Sequence, residues 1–172
     1  MFVCTGNICR SPMAERLTVL AASRLQLPGL LVSSAGTRAV VGRPMHPEAA
    51  FFIDSVGADS KRFVARQLTP RIAESADLIL TMTREHRDDV LSRSPRLLRK
   101  TFTLAEASRL ASQKNLHLAD LAAGRPLLAG EELPDVPDPI GQPAAIFTAV
   151  GRQIAQLLPP ILVAVQGMEP RT

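Results

Sequence analysis

Short apolar runs alternate with longer amphipathic stretches along most of the chain. Four apolar runs have the length of buried strands: Phe2-Val3, "GLLVSSAG" (29–36), "ADLILTM" (76–82) and "KTFTL" (100–104). Apolar residues at helical spacing predict helices at 11–27, 46–57, 83–93 and 141–158. Strand and helix in repetition predict one α/β domain over residues 1–172, with a four-stranded parallel sheet flanked by helices on both faces.

Local signals mark where several of these elements begin and end. Pro12 suits the first turn of a helix, and Thr83 suits the N-cap of another. Gly57 predicts the point where a helix ends. Pro159 and Pro160 predict that the last helix stops or kinks there, because proline lacks the amide that a helix interior needs.

Three segments give weaker signals. Residues 106–134 mix helical and loop features and are expected to be an insertion with a short helix of its own. Residues 1–3 are expected to be a truncated first strand, because the chain begins immediately before a polar loop. Residues 166–172 are expected to form a flexible tail.

Composition narrows the classes of function. The 172 residues carry a formal net charge of +4 and a pI near 9.8, which favours anionic substrates. No basic tract is mixed with aromatic residues, so no nucleic-acid partner is expected. The apolar segment "PPILVAV" is shorter than the roughly 20 residues that span a bilayer, and no signal peptide is recognisable. We therefore expect a cytoplasmic protein with reduced thiols and no membrane partner.

Both cysteines lie in "CTGNICRS" (4–11), between the first predicted strand and the first predicted helix. A loop in this position directs backbone amides and a helix N-terminus at one point, where an anion such as phosphate binds. We expect Gly6 to adopt a positive φ where the loop curls. We expect Arg10 to bind two phosphate oxygens through its planar guanidinium.

The same loop suits a reactive thiolate at Cys4. Unpaired amides, a helix N-terminus and a nearby guanidinium all stabilise a thiolate, and the Ser11 hydroxyl is placed to donate a hydrogen bond to the sulfur. A structural disulfide between Cys4 and Cys9 is not expected, because so short a closed loop gains little stability.

Cleavage of a phosphoester also needs a general acid for the leaving oxygen. The candidates lie in "EELPDVPDPIG" (131–141), where Asp135 and Asp138 stand three residues apart. A turn-forming role before proline explains Asp138 equally well from the sequence alone.

The string "VCTGNICRSPMAE" (3–15) resembles the signature of the low-molecular-weight protein-tyrosine phosphatase family. The resemblance continues in the family's order through "SSAGT" (33–37), "ARQLT" (65–69), "ADLILTMTREH" (76–86) and "DPIG" (138–141). It implies a hydrolase of bacterial type that cleaves phosphomonoesters through a cysteinyl-phosphate. In the mechanism that the resemblance implies, Cys4 is the nucleophile, Arg10 binds the phosphate and Asp138 is the general acid. Asp135 is the second candidate for the general acid.

The resemblance also assigns the remaining site residues. The loop residues are expected to bind substrate: Thr5, Gly6, Asn7, Ile8, Cys9, Arg10 and Ser11. Asn7, Ser11 and Ser34 are expected to brace the loop, and Cys9 is expected to form a reversible disulfide with Cys4 that makes the enzyme redox-sensitive. The expected partners are a phosphorylated protein, carrying phosphotyrosine, and a tyrosine kinase. No cofactor is expected, and no cluster has the spacing of metal ligands.

Departures from the family leave alternatives open. Eukaryotic-type members carry a Trp after the "SAG"-type strand and a Tyr pair after Asp-Pro, whereas "TRAVVGRP" (37–44) and "DPIGQP" (138–143) hold no aromatic residue. Phe63 stands where the family often has a His. Protein-arginine phosphatases of the same fold match the loop about equally well, but they carry Thr at the position of Ile8. The aliphatic Ile8 of this chain therefore favours phosphotyrosine as the substrate. The alternative of another class is a phosphate-binding regulatory module without turnover.

The remaining polar features are given ordinary interpretations. The charged stretch "TREHRDD" (83–89) is predicted to be a solvated helical face. His46 is expected near the start of a helix, and His86 and His117 are expected at the surface.

Overall fold

The sheet is four-stranded and entirely parallel, as the alternating pattern predicts. The computed structural model describes residues 1–27, 29–113 and 120–166. The strands are β1 (Phe2–Cys4), β2 (Ser34–Gly36), β3 (Ile79–Thr81) and β4 (Thr101–Thr103). They lie in the order β2-β1-β3-β4, with β1 paired to β2 on one side and to β3 on the other. The predicted strand at 29–36 is too long, because β2 occupies only its last three residues.

In the described ranges, six α-helices cover the sheet. They are α1 (Arg10–Arg24), α2 (Pro47–Ser55), α3 (Pro70–Ser75), α4 (Arg84–Arg93), α5 (Leu104–Ala111) and α6 (Ala144–Gln166). Short 3-10 helices span Pro95–Lys100 and Arg125–Leu128. The pattern along the chain does not predict α3, and it leaves α5 within a mixed segment.

The core has two parts, one on each face of the sheet. Successive strand residues point to opposite faces, so that Phe2 joins one cluster and Val3 the other. The larger cluster packs side chains of α1, α2, α5 and α6, and the smaller one packs side chains of α3 and α4. Helices on both faces confirm the predicted architecture.

Helix ends follow their local signals with one exception. The Thr83 hydroxyl accepts from the His86 amide at the start of α4, and Gly57 adopts a φ of +82° after α2. Of the two outcomes predicted for Pro159 and Pro160, a stop or a kink, the stop is wrong. α6 continues through both prolines to residue 166, because its apolar face, which includes Leu158 on one side of them, stays buried in the core.

The weaker segments divide between described and undescribed residues. Within 106–134 the structure contains the end of α5 and the 3-10 helix Arg125–Leu128. His117 and the expected tail beyond residue 166 lie outside the described residues. β1 has three residues, as do the other strands, and the Met1 ammonium donates to the Leu78 carbonyl at 2.7 Å.

α6 is long and apolar enough to cross a membrane by length and composition. Its buried residues include Phe147, Val150 and Ile154, which belong to the main core cluster. The helix packs against α1, α2 and α5.

Candidate active site

The loop of residues 5–9 joins β1 to α1 and is held from outside by the segment 37–46. Amides of that segment donate to carbonyls of Cys4 and the loop at 2.8–3.0 Å: Thr37 to Cys4, Arg38 to Thr5, Val40 to Gly6 and His46 to Ile8. In the described part of the chain, the amides of residues 5–9 donate to no backbone carbonyl. Carbonyls that point outward leave successive amides facing the centre of the loop, which is the geometry of an anion-binding nest.

The tight curl of the loop depends on Asn7 and not on Gly6. Asn7 has a φ of +53°, whereas Gly6 is outside the left-handed region. A Cβ on Gly6 would meet Ile8 and Val40 at an ordinary 3.5 Å. The expectation of a positive φ at Gly6 is therefore wrong. Asn adopts the left-handed region more readily than most residues because its short polar side chain bonds locally.

The Asn7 side chain is the centre of a buried hydrogen-bond network. Its Nδ2 donates to Ser11 Oγ and Ser34 Oγ, each at 2.9 Å, and its Oδ1 accepts from the Arg66 amide at 2.9 Å. The Ser34 hydroxyl in turn donates to Glu15 Oε2 at 2.7 Å. All of these groups have partners, which gives the bracing positions predicted for Asn7, Ser11 and Ser34 a geometric basis.

The network directs the Ser11 hydroxyl at the sulfur of Cys4. Ser11 Oγ accepts from Asn7, and it lies 3.0 Å from Cys4 Sγ. The hydroxyl proton is therefore free to point at the sulfur, where it stabilises negative charge.

The two cysteines are both buried and free. Burial, together with the neighbouring Cys4 and Asp138, raises the pKa of the Cys9 thiol to about 12. Cys9 is therefore a neutral thiol at physiological pH. Its backbone carbonyl accepts a hydrogen bond from the Met13 amide at the start of α1.

Arg10 brings the loop and the distant Asp138 together. Its NH2 donates to Asp138 Oδ2 at 2.5 Å and its NH1 donates to the Val136 carbonyl at 3.2 Å. The residue is 4% exposed, and its Nε is buried without a partner among the described residues. A buried guanidinium donor without an acceptor is costly, so the site fits an anion that would accept from it.

Asp135, the reserve carboxylate, serves a different element. Its Oδ1 accepts from the Arg84 amide at 2.9 Å, at the first residue of α4. Between the two carboxylates, the Val136 amide donates to the carbonyl of Met82, the first residue after β3, at 2.8 Å. Of the two candidates, the structure places only Asp138 on Arg10.

His86 is buried at the site, so the expectation of a surface position is wrong. Its Nε2 lies 2.8 Å from Thr5 Oγ1 and its Nδ1 lies 2.7 Å from Thr83 Oγ1. Burial, and next the charge of Arg10, lower the pKa of His86 to about 4. The imidazole is therefore neutral at physiological pH and joins the first turn of α4 to the loop.

A groove lies beside this contact, lined by Thr37, Arg38 and residues of α4 that include His86. Its volume is about 650 Å³. Three aliphatic residues beside site residues have half-buried or exposed side chains: Ile8 in the loop, Val40, whose amide donates to Gly6, and Ile140, whose amide donates to Asp138 Oδ1. Within the described ranges, no group of three or more His, Cys, Asp or Glu side chains could hold a metal ion.

Residues 1–125 match the family model described as low molecular weight phosphotyrosine protein phosphatase. The chain belongs to this family of hydrolases. It is similar to a probable low molecular weight protein-tyrosine-phosphatase, EpsP, from Ralstonia nicotianae, with 41% identity over 106 residues. That alignment covers 62% of this chain and 70% of the relative. The chain is also similar to a protein-arginine-phosphatase from Geobacillus stearothermophilus, with 30% identity over 158 residues, covering 92% of this chain and 89% of the relative.

Solved structures of both kinds of phosphatase share the fold. The crystal structure of the Erwinia amylovora tyrosine phosphatase amsI matches with a TM-score of 0.73 and 28% identity, covering 95% of this chain and 89% of that one. A YwlE mutant from Bacillus subtilis matches with a TM-score of 0.75 and 31% identity, covering 96% and 95%.

Sequence reasoning missed four residues that hold the phosphatase loop. They are Glu15, Gly36, Arg66 and His86. All four fall inside motifs that carry the family resemblance, but residue type alone gave none of them a role. Gly36 is required for steric reasons, since a Cβ there would lie 2.4 Å from the Thr5 carbonyl oxygen.

Proposed function

We propose that this chain dephosphorylates protein phosphotyrosine through a cysteinyl-phosphate on Cys4. The observation that carries the proposal is the unpartnered buried Nε of Arg10 beside a loop whose amides face inward. These donors suit the three equatorial oxygens of a transferring phosphoryl group, over which the charge is spread.

In the first step, the Cys4 thiolate attacks phosphorus and the bond from phosphorus to the ester oxygen breaks. Asp138, holding a proton, gives it to the leaving oxygen. A positioned acid of this kind contributes about 10²–10⁴-fold. The loop amides and Arg10 hold the phosphoryl oxygens, and the product is the cysteinyl-phosphate with a released phenol.

In the second step, water attacks the cysteinyl-phosphate and the sulfur–phosphorus bond breaks. Asp138, now a carboxylate, takes the proton of the water. The Ser11 hydroxyl, 3.0 Å from the sulfur, donates to the departing thiolate. A YwlE arginine phosphatase structure supports such an intermediate, since its cysteine-to-serine mutant holds a phosphorylated active site serine.

The ion pair between Arg10 and Asp138 is the arrangement of these two residues before substrate binds. A phosphate dianion competes with the Asp138 carboxylate for the guanidinium, and the carboxyl group, with its side chain 47% exposed, is left near the leaving oxygen. Release from Arg10 therefore places the Asp138 carboxyl group beside the ester oxygen, where it can act as the general acid.

Phosphoarginine is the second candidate substrate. The arginine phosphatase from Geobacillus stearothermophilus aligns over 92% of this chain, compared with 62% for EpsP. The residues Val40 and Ile140, beside the loop and Asp138 respectively, also carry exposed aliphatic side chains and not aromatic ones. The higher identity to EpsP and the presence of Ile8 favour phosphotyrosine.

The test compares p-nitrophenyl phosphate with two peptides of the same sequence, one carrying phosphotyrosine and one carrying phosphoarginine. We expect steady turnover of p-nitrophenyl phosphate that is lost in Cys4→Ser, and a higher kcat/KM for the phosphotyrosine peptide. A higher value for phosphoarginine would reverse the substrate assignment. Phosphate binding without any turnover would support the regulatory module.

Three finer points belong to the same proposal. Cys9 lies in the same loop as Cys4, which supports a reversible disulfide between them under oxidation. Peroxide treatment that leaves Cys4 as a sulfinic acid and Cys9 free would count against it. A partner tyrosine kinase and a cytoplasmic location stay predictions from the sequence.

A further inference from the structure

His86 is the residue through which α4 contacts the phosphate-binding loop. Its Nε2 is 2.8 Å from Thr5 Oγ1, in the first residue after β1. Among the described residues of α4, no other side chain hydrogen-bonds the loop of residues 5–9. His86 is 7% exposed, so water does not compete effectively for this contact.

Both ends of the His86 ring are held. Nδ1 is 2.7 Å from Thr83 Oγ1, and the same hydroxyl accepts from the His86 amide at 3.2 Å. A neutral imidazole has one donor and one acceptor nitrogen, and a hydroxyl can serve either. The ring therefore cannot rotate without breaking both hydrogen bonds, and Thr83 fixes its direction toward Thr5.

The arrangement suits positioning and not proton transfer. The imidazole is neutral because burial lowers its pKa to about 4, and both of its nitrogens are occupied by hydroxyl groups. The Thr5 carbonyl is held as well, since it accepts from the Arg38 amide at 3.0 Å. Thr5 is thus fixed by its backbone and by its side chain.

We propose that His86 is a positioning residue, which fixes the Thr5 end of the loop so that the inward amides keep the geometry that binds phosphate. The inference rests on the proposed function, because it concerns the same loop. It adds a role for α4, whose charged sequence "TREHRDD" predicted a solvated helical face. Through His86, this helix controls the phosphate affinity of the site.

The experiment is a double-mutant cycle on the full chain, with inorganic phosphate binding measured by calorimetry. The variants are His86→Phe, Thr5→Val and the pair. Each single change is expected to weaken phosphate binding roughly tenfold, as for a lost buried hydrogen bond. The double variant should lose no more than the larger single loss, because both changes break one contact. Additive losses would overturn the proposal, and so would a Thr5→Val variant that binds phosphate as the wild type does.

Two further variants separate positioning from general destabilisation. His86→Gln keeps an amide that can reach the Thr5 hydroxyl and should recover most of the phosphate affinity. Val90→Ala is the matched control, because Val90 is buried one turn later in α4, in the smaller core cluster, which includes no residue of the loop. It should lower the Tm and leave phosphate affinity unchanged. Equal losses of affinity in Val90→Ala and His86→Phe at equal Tm would contradict a specific role.

Turnover of p-nitrophenyl phosphate is recorded for the same proteins. A wild type that binds phosphate without turnover removes the proposed function and leaves the positioning role intact. A wild type that turns over, together with a His86→Phe variant of unchanged phosphate affinity, removes the positioning role alone.

Discussion

At the scale of single residues, the two cysteines are both buried in the main core cluster but differ in their polar contacts. Cys4 has the Ser11 hydroxyl 3.0 Å from its sulfur. Cys9 is buried among core residues, and the nearby Cys4 and Asp138 add to the desolvation that raises its pKa. Five positions of separation therefore give one candidate nucleophile and one thiol that stays protonated at physiological pH.

The first prediction concerns the Cys9 thiol. Because its pKa is raised to about 12, Cys9 should resist iodoacetamide at pH 7 in the folded protein and react once the chain is unfolded in urea. Peptide mass spectrometry after timed alkylation measures this. Modification of Cys9 at the rate of a free thiol in the folded protein would contradict it.

The second prediction concerns Asp138. Asp138→Ala should lower kcat by about 10²–10⁴-fold for a phenol that leaves poorly, and far less for p-nitrophenolate, which departs without a proton. A series of aryl phosphates measures the dependence on leaving group. Asp135→Ala is the matched control, since Asp135 binds the Arg84 amide at α4. Equal losses for all leaving groups in Asp138→Ala would move the acid role to another residue.

At the scale of elements, the site lies where β1 ends and where its neighbours end beside it. The segment after β2 supplies amides to the loop carbonyls, and the first turn of α4, after β3, supplies His86. Parallel strands bring their carboxyl ends to one edge of the sheet, which is where open α/β sheets bind ligands. Close approach of these segments leaves no space for a side chain at the end of β2.

The third prediction follows from that close approach. A Cβ on Gly36 would lie 2.4 Å from the Thr5 carbonyl oxygen and 3.0 Å from the Ala39 Cα. Gly36→Ala should therefore cost about 1–3 kcal/mol of stability and displace the loop, lowering kcat/KM on the order of 10²-fold.

Gly130→Ala is the control for Gly36→Ala. Gly130 has a φ of +81°, and a Cβ added there would have nothing within 4 Å, so alanine introduces backbone strain away from the loop. Urea unfolding and kcat/KM are measured for both variants. A Gly36→Ala variant that loses stability alone, as Gly130→Ala should, would show that the loop tolerates the displacement.

At the scale of the whole molecule, the two clusters hold the helices that carry the site residues. The Gly151 position shows how closely they pack, since a Cβ there would lie 2.2 Å from the Phe52 ring, between α2 and α6. Folding also buries a titratable ring, because His86 sits between α4 and the loop. The stability of the molecule should therefore depend on pH through this residue.

The fourth prediction is that acid destabilises the fold through His86. Its pKa falls from 6.5 in the unfolded chain to about 4 in the folded one, through burial and Arg10, with Glu85, Asp138 and Asp89 opposing. Between these values the unfolded chain binds more protons, so stability is lost as pH falls from 6.5 toward 4. The loss should be on the order of 2 kcal/mol, since solvent screens part of the interaction.

Urea unfolding at pH 7 and pH 4.5 measures this loss in the wild type and in His86→Gln. The free energy of unfolding should change less with pH in the variant, which has no imidazole to protonate. An identical change in both proteins would assign the acid sensitivity to other groups.

The sequence by itself determined the strand and helix alternation and the position of the loop after β1. It also put forward Cys4 and Arg10 as candidate site residues, and Asp138 through the family resemblance. These signals are local, because spacing, proline and glycine act within a few residues. Gly6 shows the limit even there, since the left-handed residue is Asn7.

Only the tertiary structure decided which distant groups meet. Arg10 and Asp138 are 128 positions apart, and Thr5 and His86 are 81 apart. Their contacts depend on strand order and on the burial of helix faces, and nothing in the neighbouring residues encodes them. The charged stretch before Val90 therefore predicted a solvated face, while the fold turned its one histidine inward to the loop.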